Sequence, residues 1–276
     1  MTAATAPTGR SILFGQVELD LIAAHAGVPF PFPLQIPSFG RIDGEREVLM
    51  AAAGRTLQLR GLADEDGPAG AAAELVTALR EHRGTVDLVV VDGDGATGVV
   101  AVVYRSWALI CQQRLDGDPA TPVRIRRVAA KDLTDPLLAE VPELAAARSM
   151  PIALPERALT DAVRLIGEID DDAEKQRFLR DLVHRRGGDP AALDRLAALL
   201  PTLSGRGQLG ATRRVGGRSV RVGRELSWLD GPQGRVRVDR SDRGWVSVNP
   251  LRGADFRFAL EELASLAREP RRPGDR

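Results

Sequence analysis

Cysteine occurs once in 276 residues, at Cys111, which excludes an intrachain disulfide framework and any multi-cysteine zinc site and fits a reducing cytoplasm. Lysine is nearly missing: of 38 basic residues only Lys131 and Lys175 are lysines. Together with abundant Ala and Gly this is a coding bias of GC-rich bacteria, so no single arginine is evidence that a guanidinium was chosen over an ammonium. The three histidines, His25, His82 and His184, each fall near the C-terminal end of a predicted helix, where an imidazolium complements the macrodipole. There is no H-E-x-x-H, no G-x-S-x-G elbow and no P-loop. An enzyme is therefore the weaker class, and no catalytic residue, cofactor or metal site is assigned. Net charge is absent too, with 38 basic against 38 acidic residues, so the whole molecule is not drawn to nucleic acid or to a membrane. No apolar run approaches the ~20 residues that cross a bilayer, and MTAATAPTGR lacks the basic and apolar regions of a signal peptide. A cytoplasmic protein without membrane insertion is expected.

What the chain does have is a globular composition, 43% hydrophobic and 28% charged, and a length that suits one large domain or two intimate halves. Ser11 to Phe14 reads as a strand and Gln16 to Ala26 as a helix stopped by Gly27. Prolines at 29, 31, 33 and 37 forbid a helix or a central strand from Val28 to Gly40 and leave an extended edge segment. An SH3-type ligand there lacks basic flanks. Glu45 to Arg60 and Ala69 to His82 read as helices. The period then changes to that of strands at Thr85 to Val91, Gly98 to Tyr104, Trp107 to Leu115 and Pro122 to Val128. A helical stretch near Leu133 to Leu144 leads to the extended SMPIALP. The second half repeats the order, with helices at Glu156 to Ile169, Asp172 to Arg186 and Pro190 to Leu200, strands from about Leu209 through Val248, and a last helix from Ala254 to Arg268. Helices followed by antiparallel hairpins, twice over, define an α+β fold in which the hairpins share one central antiparallel sheet with flanking helical bundles. The reading is one domain over 1–276, with halves 11–150 and 151–268 and a polar tail 269–276.

Three motifs invite chemical readings and have plainer ones. GRGQLG, Gly205 to Gly210, matches G-x-G-x-x-G, but it follows a helix and precedes a strand, the reverse of a dinucleotide site, and reads as a flexible lead into the sheet. DGDG, Asp92 to Gly95, has Val103 where a calcium loop needs its bidentate Glu, so it reads as a hairpin turn. Asp170, Asp171 and Asp172 sit where a helix begins and complement its dipole. The segment from Arg206 to Arg243, with ten Arg against four acids, is the best case for nucleic acid, the alternative function. Only Trp228 and Trp245 are there to stack on bases, and in RVRVDR the Arg alternate with Val. The simpler expectation is a solvated strand face opposite a buried one.

GQLGATRRV, ELSWLDGPQGRVRV, GWVSVNP and a closing amphipathic helix together resemble the C-terminal half of the EspG family, type VII (ESX) secretion chaperones of actinobacteria. SILFGQVELDLIAAHAG followed by PFPLQIPS resembles the family's opening strand, helix and proline-bearing segment, so the likeness runs from about Ser11 to Leu266. Leu209 replaces an aromatic often found in the family's G-Q-F-G stretch, Gly231 stands where many members have Thr, and the hairpin at DGDGAT is short. The resemblance implies a cytoplasmic protein-transport chaperone with approximate internal two-fold symmetry. It implies a helical secretion substrate as partner, the PPE protein of a PE–PPE heterodimer, held by its apolar tip.

The residues suggest where such a grip would lie. In the helix from Pro190, the residues Leu193, Leu196, Ala197 and Leu200 form a core stripe, and Leu199 and Leu203 fall off it. In the helix from Asp172, Phe178 and Leu182 pair at i and i+4, widened by Leu179 and Val183. Surplus apolar surface marks partner sites. Phe178, Leu182, Leu199, Leu203, Leu209 and Trp228 are the expected partner-binding residues.

Overall fold

The computed structural model describes residues 11–118, 120–165 and 171–269. In chain order the elements are β1 (Ser11–Phe14), α1 (Gln16–Ala26), α2 (Asp43–Leu59), a small hairpin of β2 (Ala63–Asp64) and β3 (Gly67–Pro68), α3 (Gly70–Glu81), β4 (Gly84–Asp92), β5 (Gly95–Tyr104), β6 (Trp107–Arg114), β7 (Val123–Ala129) and α4 (Thr134–Leu138). There follow β8 (Ile152–Pro155), α5 (Glu156–Leu165), α6 (Asp172–Arg185), α7 (Pro190–Leu199), β9 (Gly205–Val215), β10 (Arg218–Gly231), β11 (Gly234–Ser241), β12 (Trp245–Pro250) and α8 (Gly253–Arg268). Apart from the small hairpin, the strands form one ten-stranded antiparallel sheet in the order β1-β7-β6-β5-β4-β9-β10-β11-β12-β8. Read from either end, that order is the first strand of a series, then the four-strand meander in reverse. The repeat of element order seen in the sequence is thus also a repeat of connectivity.

Contacts divide the chain into two compact units, the first comprising Met1–Pro142, Leu209–Glu225 and Arg257–Arg276, the second Glu143–Gln208 and Leu226–Phe256. In the first, strand alternation sends Val100, Val102, Leu109, Cys111, Val123 and Ile125 to one face, where they meet Leu19 and Ile22 of α1 and Leu75, Ala78 and Leu79 of α3. Two acids of α1 turn inward and are matched: Glu18 pairs with Arg60 at 2.7 Å and Asp20 with Arg46 at 2.8 Å, tying α1 to α2. A buried carboxylate left without such a partner would be strongly destabilising. In the second unit, Leu229, Val236, Val238, Val248, Ile152 and Leu154 share one face with Ala158 of α5, Leu182 and Val183 of α6 and Ala192 of α7. The opposite face carries Trp228, Asp230 and Arg235.

Several expectations are corrected. The proline segment is extended but joins no ladder; Phe30 and Leu34 are buried in the α1–α3 core, and the Gln113 side chain receives the Gln35 N–H at 2.7 Å. The edge it was assigned belongs to β1. The helix expected to Leu144 ends at Leu138 and tightens into i to i+3 bonds at Glu140 and Val141, because Pro142 disfavours a helical residue before it. α5 is described to Leu165, and Ile166 to Ile169 and Asp170 lie outside the described residues. GRGQLG is no flexible lead: it is the first half of β9. The DGDG turn forms as expected, with Asp92 paired to Gly95 across a two-residue connection.

Candidate partner-binding site

α6 and α7 are fixed locally before they meet anything else. Asp171 caps α6, its carboxylate accepting the Glu174 N–H at 2.7 Å, and Asp189 caps α7 by accepting the Ala191 N–H at 2.9 Å, with Pro190 at the first helical position. Arg180 of α6 pairs with Asp194 of α7 at 2.6 Å, and Arg186 reaches Asp161 of α5 at 2.6 Å. These exposed ion pairs contribute little stability each, but they rim an apolar face with charge.

That face is only half covered. Leu182 and Val183 are buried, while Phe178, Leu193, Leu196 and Leu199 pack against the same core with part of each side chain left open. The stripe expected on α7 is corrected here. Its inward residues are Ala192, Leu193, Leu196 and Leu199, whereas Ala197 is exposed and Leu200 is 52% exposed. Within the regular helix the buried stripe is set by Ala192, which turns Leu199 inward and Ala197 outward, and Leu200 falls in a 3₁₀ turn over Leu200–Thr202, where helical spacing no longer holds. Leu200 is the exposed leucine the sequence reading missed.

Of the six expected residues, Phe178, Leu182 and Leu199 are brought together in the α5–α7 core. Leu203 is half-buried just beyond the 3₁₀ turn, near Gly231. Trp228 is buried on the opposite sheet face, edge-on to Phe256 at 5.1 Å, with the Arg235 guanidinium 5.5 Å from its ring centre. Its Nε1 has no hydrogen-bond partner among the described residues. Leu209 is fully buried in β9, within the first unit.

The arginine-rich strands are solvated for the most part, with Arg206, Arg218, Arg224, Arg240 and Arg243 exposed, but Arg235 departs from that expectation. Arg235 lies opposite Asp230 across β10 and β11, is buried, and makes a two-pronged ion pair with it at 2.6 and 2.8 Å. Arg213 pairs with Glu269 at 2.6 Å, Arg237 with Asp239 at 2.7 Å and Arg221 with Asp87. A guanidinium already matched by a carboxylate adds little to an electrostatic footprint for phosphates. Among the described residues no three His, Cys, Asp or Glu come together as a metal site, and no helix is long and apolar enough to cross a membrane. Burial pushes the Cys111 thiol up to about 12, far from a reactive thiolate.

A search of curated protein sequences returned no match. Among solved structures the chain is similar to the Mycobacterium tuberculosis type VII secretion system chaperone EspG5, solved in complex with a PE25–PPE41 dimer, with a TM-score of 0.60 at 11% identity, over 94% of this chain and 95% of that one. At that identity the likeness is one of fold, and it covers both series of elements. The EspG family model matches residues 16–262, nearly the whole of the described chain. The chain belongs to the EspG family.

Proposed function

We propose that this protein is a cytoplasmic type VII secretion chaperone that binds a helical secretion substrate, the PPE protein of a PE–PPE-type heterodimer, and keeps its apolar tip soluble until export. Membership of the EspG family over residues 16–262 carries the reading. The half-covered α6–α7 face supports it, because it offers apolar anchors inside a charged rim, the anatomy of a protein-binding surface rather than of a reaction site. Phe178, Leu199, Leu200 and Leu203 contact the partner and Leu182 backs them from the core, while Leu209 and Trp228, both buried away from that face, take no direct part. The protein acts by binding, without a catalytic step or cofactor.

The test is co-expression with PE–PPE-type pairs encoded beside its own gene, followed by size exclusion. The reading expects one such pair to co-elute with the chain as a stoichiometric complex. Failure of every neighbouring pair to co-elute, with the chain itself folded, would reject it. Co-elution that survives Leu200→Glu and Leu203→Glu unweakened would move the site away from the α6–α7 face.

A further inference from the structure

α2 turns Ala53 and Leu57 into the first unit, and the residues half a turn away face solvent. There it carries Val48, 67% exposed, and Leu59, at 89% the most open large apolar side chain among the described residues. Ile42, at the N-cap, is 71% exposed. Single apolar residues on a surface are ordinary, but these share one face, and the exposed Ala51 and Ala52 fill the gap between Val48 and Leu59. Through Ala52 the apolar surface continues into a groove of about 760 Å³ lined by Leu13, Val17, Leu49 and Pro122. The β1 edge beside that groove is closed to a further strand, because Arg60 donates to the Leu13 carbonyl and the Glu18 carboxylate accepts the Gly15 N–H. A helix is therefore what this face can take.

Spacing and charge both say which helix. Along the face, Gly44, Val48, Ala51, Ala52, Arg55 and Leu59 are spaced the same from either end, about a midpoint between the two alanines. An antiparallel copy of α2, related by a twofold axis at that midpoint, sets Ala51 against Ala52, Val48 against the aliphatic stem of Arg55, and Leu59 over Gly44 beside Ile42. A Cβ at Gly44 would meet nothing within 4 Å, so the space for that leucine is open. Small residues at the centre let the two axes approach to the ~8–10 Å of packed helices. The charges match in the same register. Glu47 and Arg55 are exposed and form no ion pair among the described residues, and the antiparallel copy brings each Glu47 beside the Arg55 of the other chain. An unrelated helix would meet this pattern by chance, whereas a second copy meets it by symmetry.

We propose that α2 is the interface of a reversible homodimer, in which it packs antiparallel on the α2 of a second copy of this chain. The face shares no residue with the α6–α7 site, so the proposal stands or falls apart from the chaperone reading. A helix of 17 residues is only about 25 Å long, too little by itself for the ~800 Å² that each partner of a standard interface buries, and the adjoining groove widens the contact. Association is accordingly concentration-dependent, with free and paired chains in exchange. Val48, Leu59, Glu47 and Arg55 are all exposed, so each can be replaced without touching the core.

Sedimentation velocity of the full chain between about 1 and about 100 µM reads the association. Wild type is expected to pass from monomer to dimer over that range. Val48→Glu and Leu59→Glu should each associate at least about tenfold more weakly, with the melting temperature of the dilute monomer unchanged. Charge reversal separates this register from general stickiness. Glu47→Arg and Arg55→Glu should each weaken the dimer, and the double variant should regain it. Wild type that stays monomeric at the highest concentration, single variants that all dimerise as wild type does, or a double variant that recovers nothing would overturn the proposal. So would a chain that never dimerises but loses affinity for a PE–PPE-type pair on Leu59→Glu, which would give the face to the secreted partner.

Discussion

Gly207 shows how a single residue can be misread from letters. In the sequence it belongs to a dinucleotide-like glycine run; in the structure a Cβ there would stand 2.0 Å from Cζ2 of Trp228, so the glycine exists to let the indole lie flat against β9. Gly207→Ala is accordingly expected to destabilise the protein by about 1–3 kcal/mol through overpacking, measured by urea unfolding. An unchanged midpoint would contradict the packing. Asp87 gives a pH-dependent counterpart. Burial raises its pKa despite the attraction of Arg221, so the folded state holds its proton more tightly than the unfolded chain does. Its contribution to stability is full below the unfolded value of ~3.9 and is lost as pH rises through the raised folded pKa. Relative to Asp87→Asn, the wild type should lose stability as pH climbs through that window, as read from paired thermal melts. A difference that does not vary with pH would show that Asp87 titrates normally. Cys111 is expected to resist alkylation at pH 8 in the native state and to react once the chain is unfolded.

At the scale of elements, the strands and most helices are legible because their signals are local. α1 ends where Gly27 adopts a left-handed φ of 67°, and the valine-rich runs fall in β4 to β7 almost to the residue. What the sequence conceals is set by tertiary partners. Arg235 alternates with Val as any solvated arginine would, and only its cross-strand Asp230 and the rings of Trp228 and Phe256 reveal it as a core residue. Phe30, Phe32 and Leu34 share one face of an extended chain, yet a turn throws Phe32 outward, and no periodicity encodes that. The α7 stripe fails at its end for the same kind of reason, a 3₁₀ turn where helical spacing was assumed. The candidate site was therefore half legible: the sequence locates the helices that bear it, but it cannot say which leucine the fold leaves open. Leu200→Glu is expected to leave stability within about 0.5 kcal/mol, as a surface substitution does. Leu182→Glu, by contrast, should unfold the second unit's core.

For the whole molecule, one sheet runs through both series of elements, and we propose that the chain unfolds as one domain. Calorimetry should then give a single transition whose calorimetric and van't Hoff enthalpies agree. Two resolved transitions would make the compact units independent. The central claim concerns binding, and it is met most directly by isothermal titration of a purified PE–PPE-type heterodimer into wild-type chain and into Leu200→Glu. Saturable binding by wild type is predicted, with Leu200→Glu weakened by about 2 kcal/mol, more than tenfold, at an unchanged melting temperature. Equal affinity for the two proteins, both folded, would contradict the α6–α7 face as the proposed site of substrate binding.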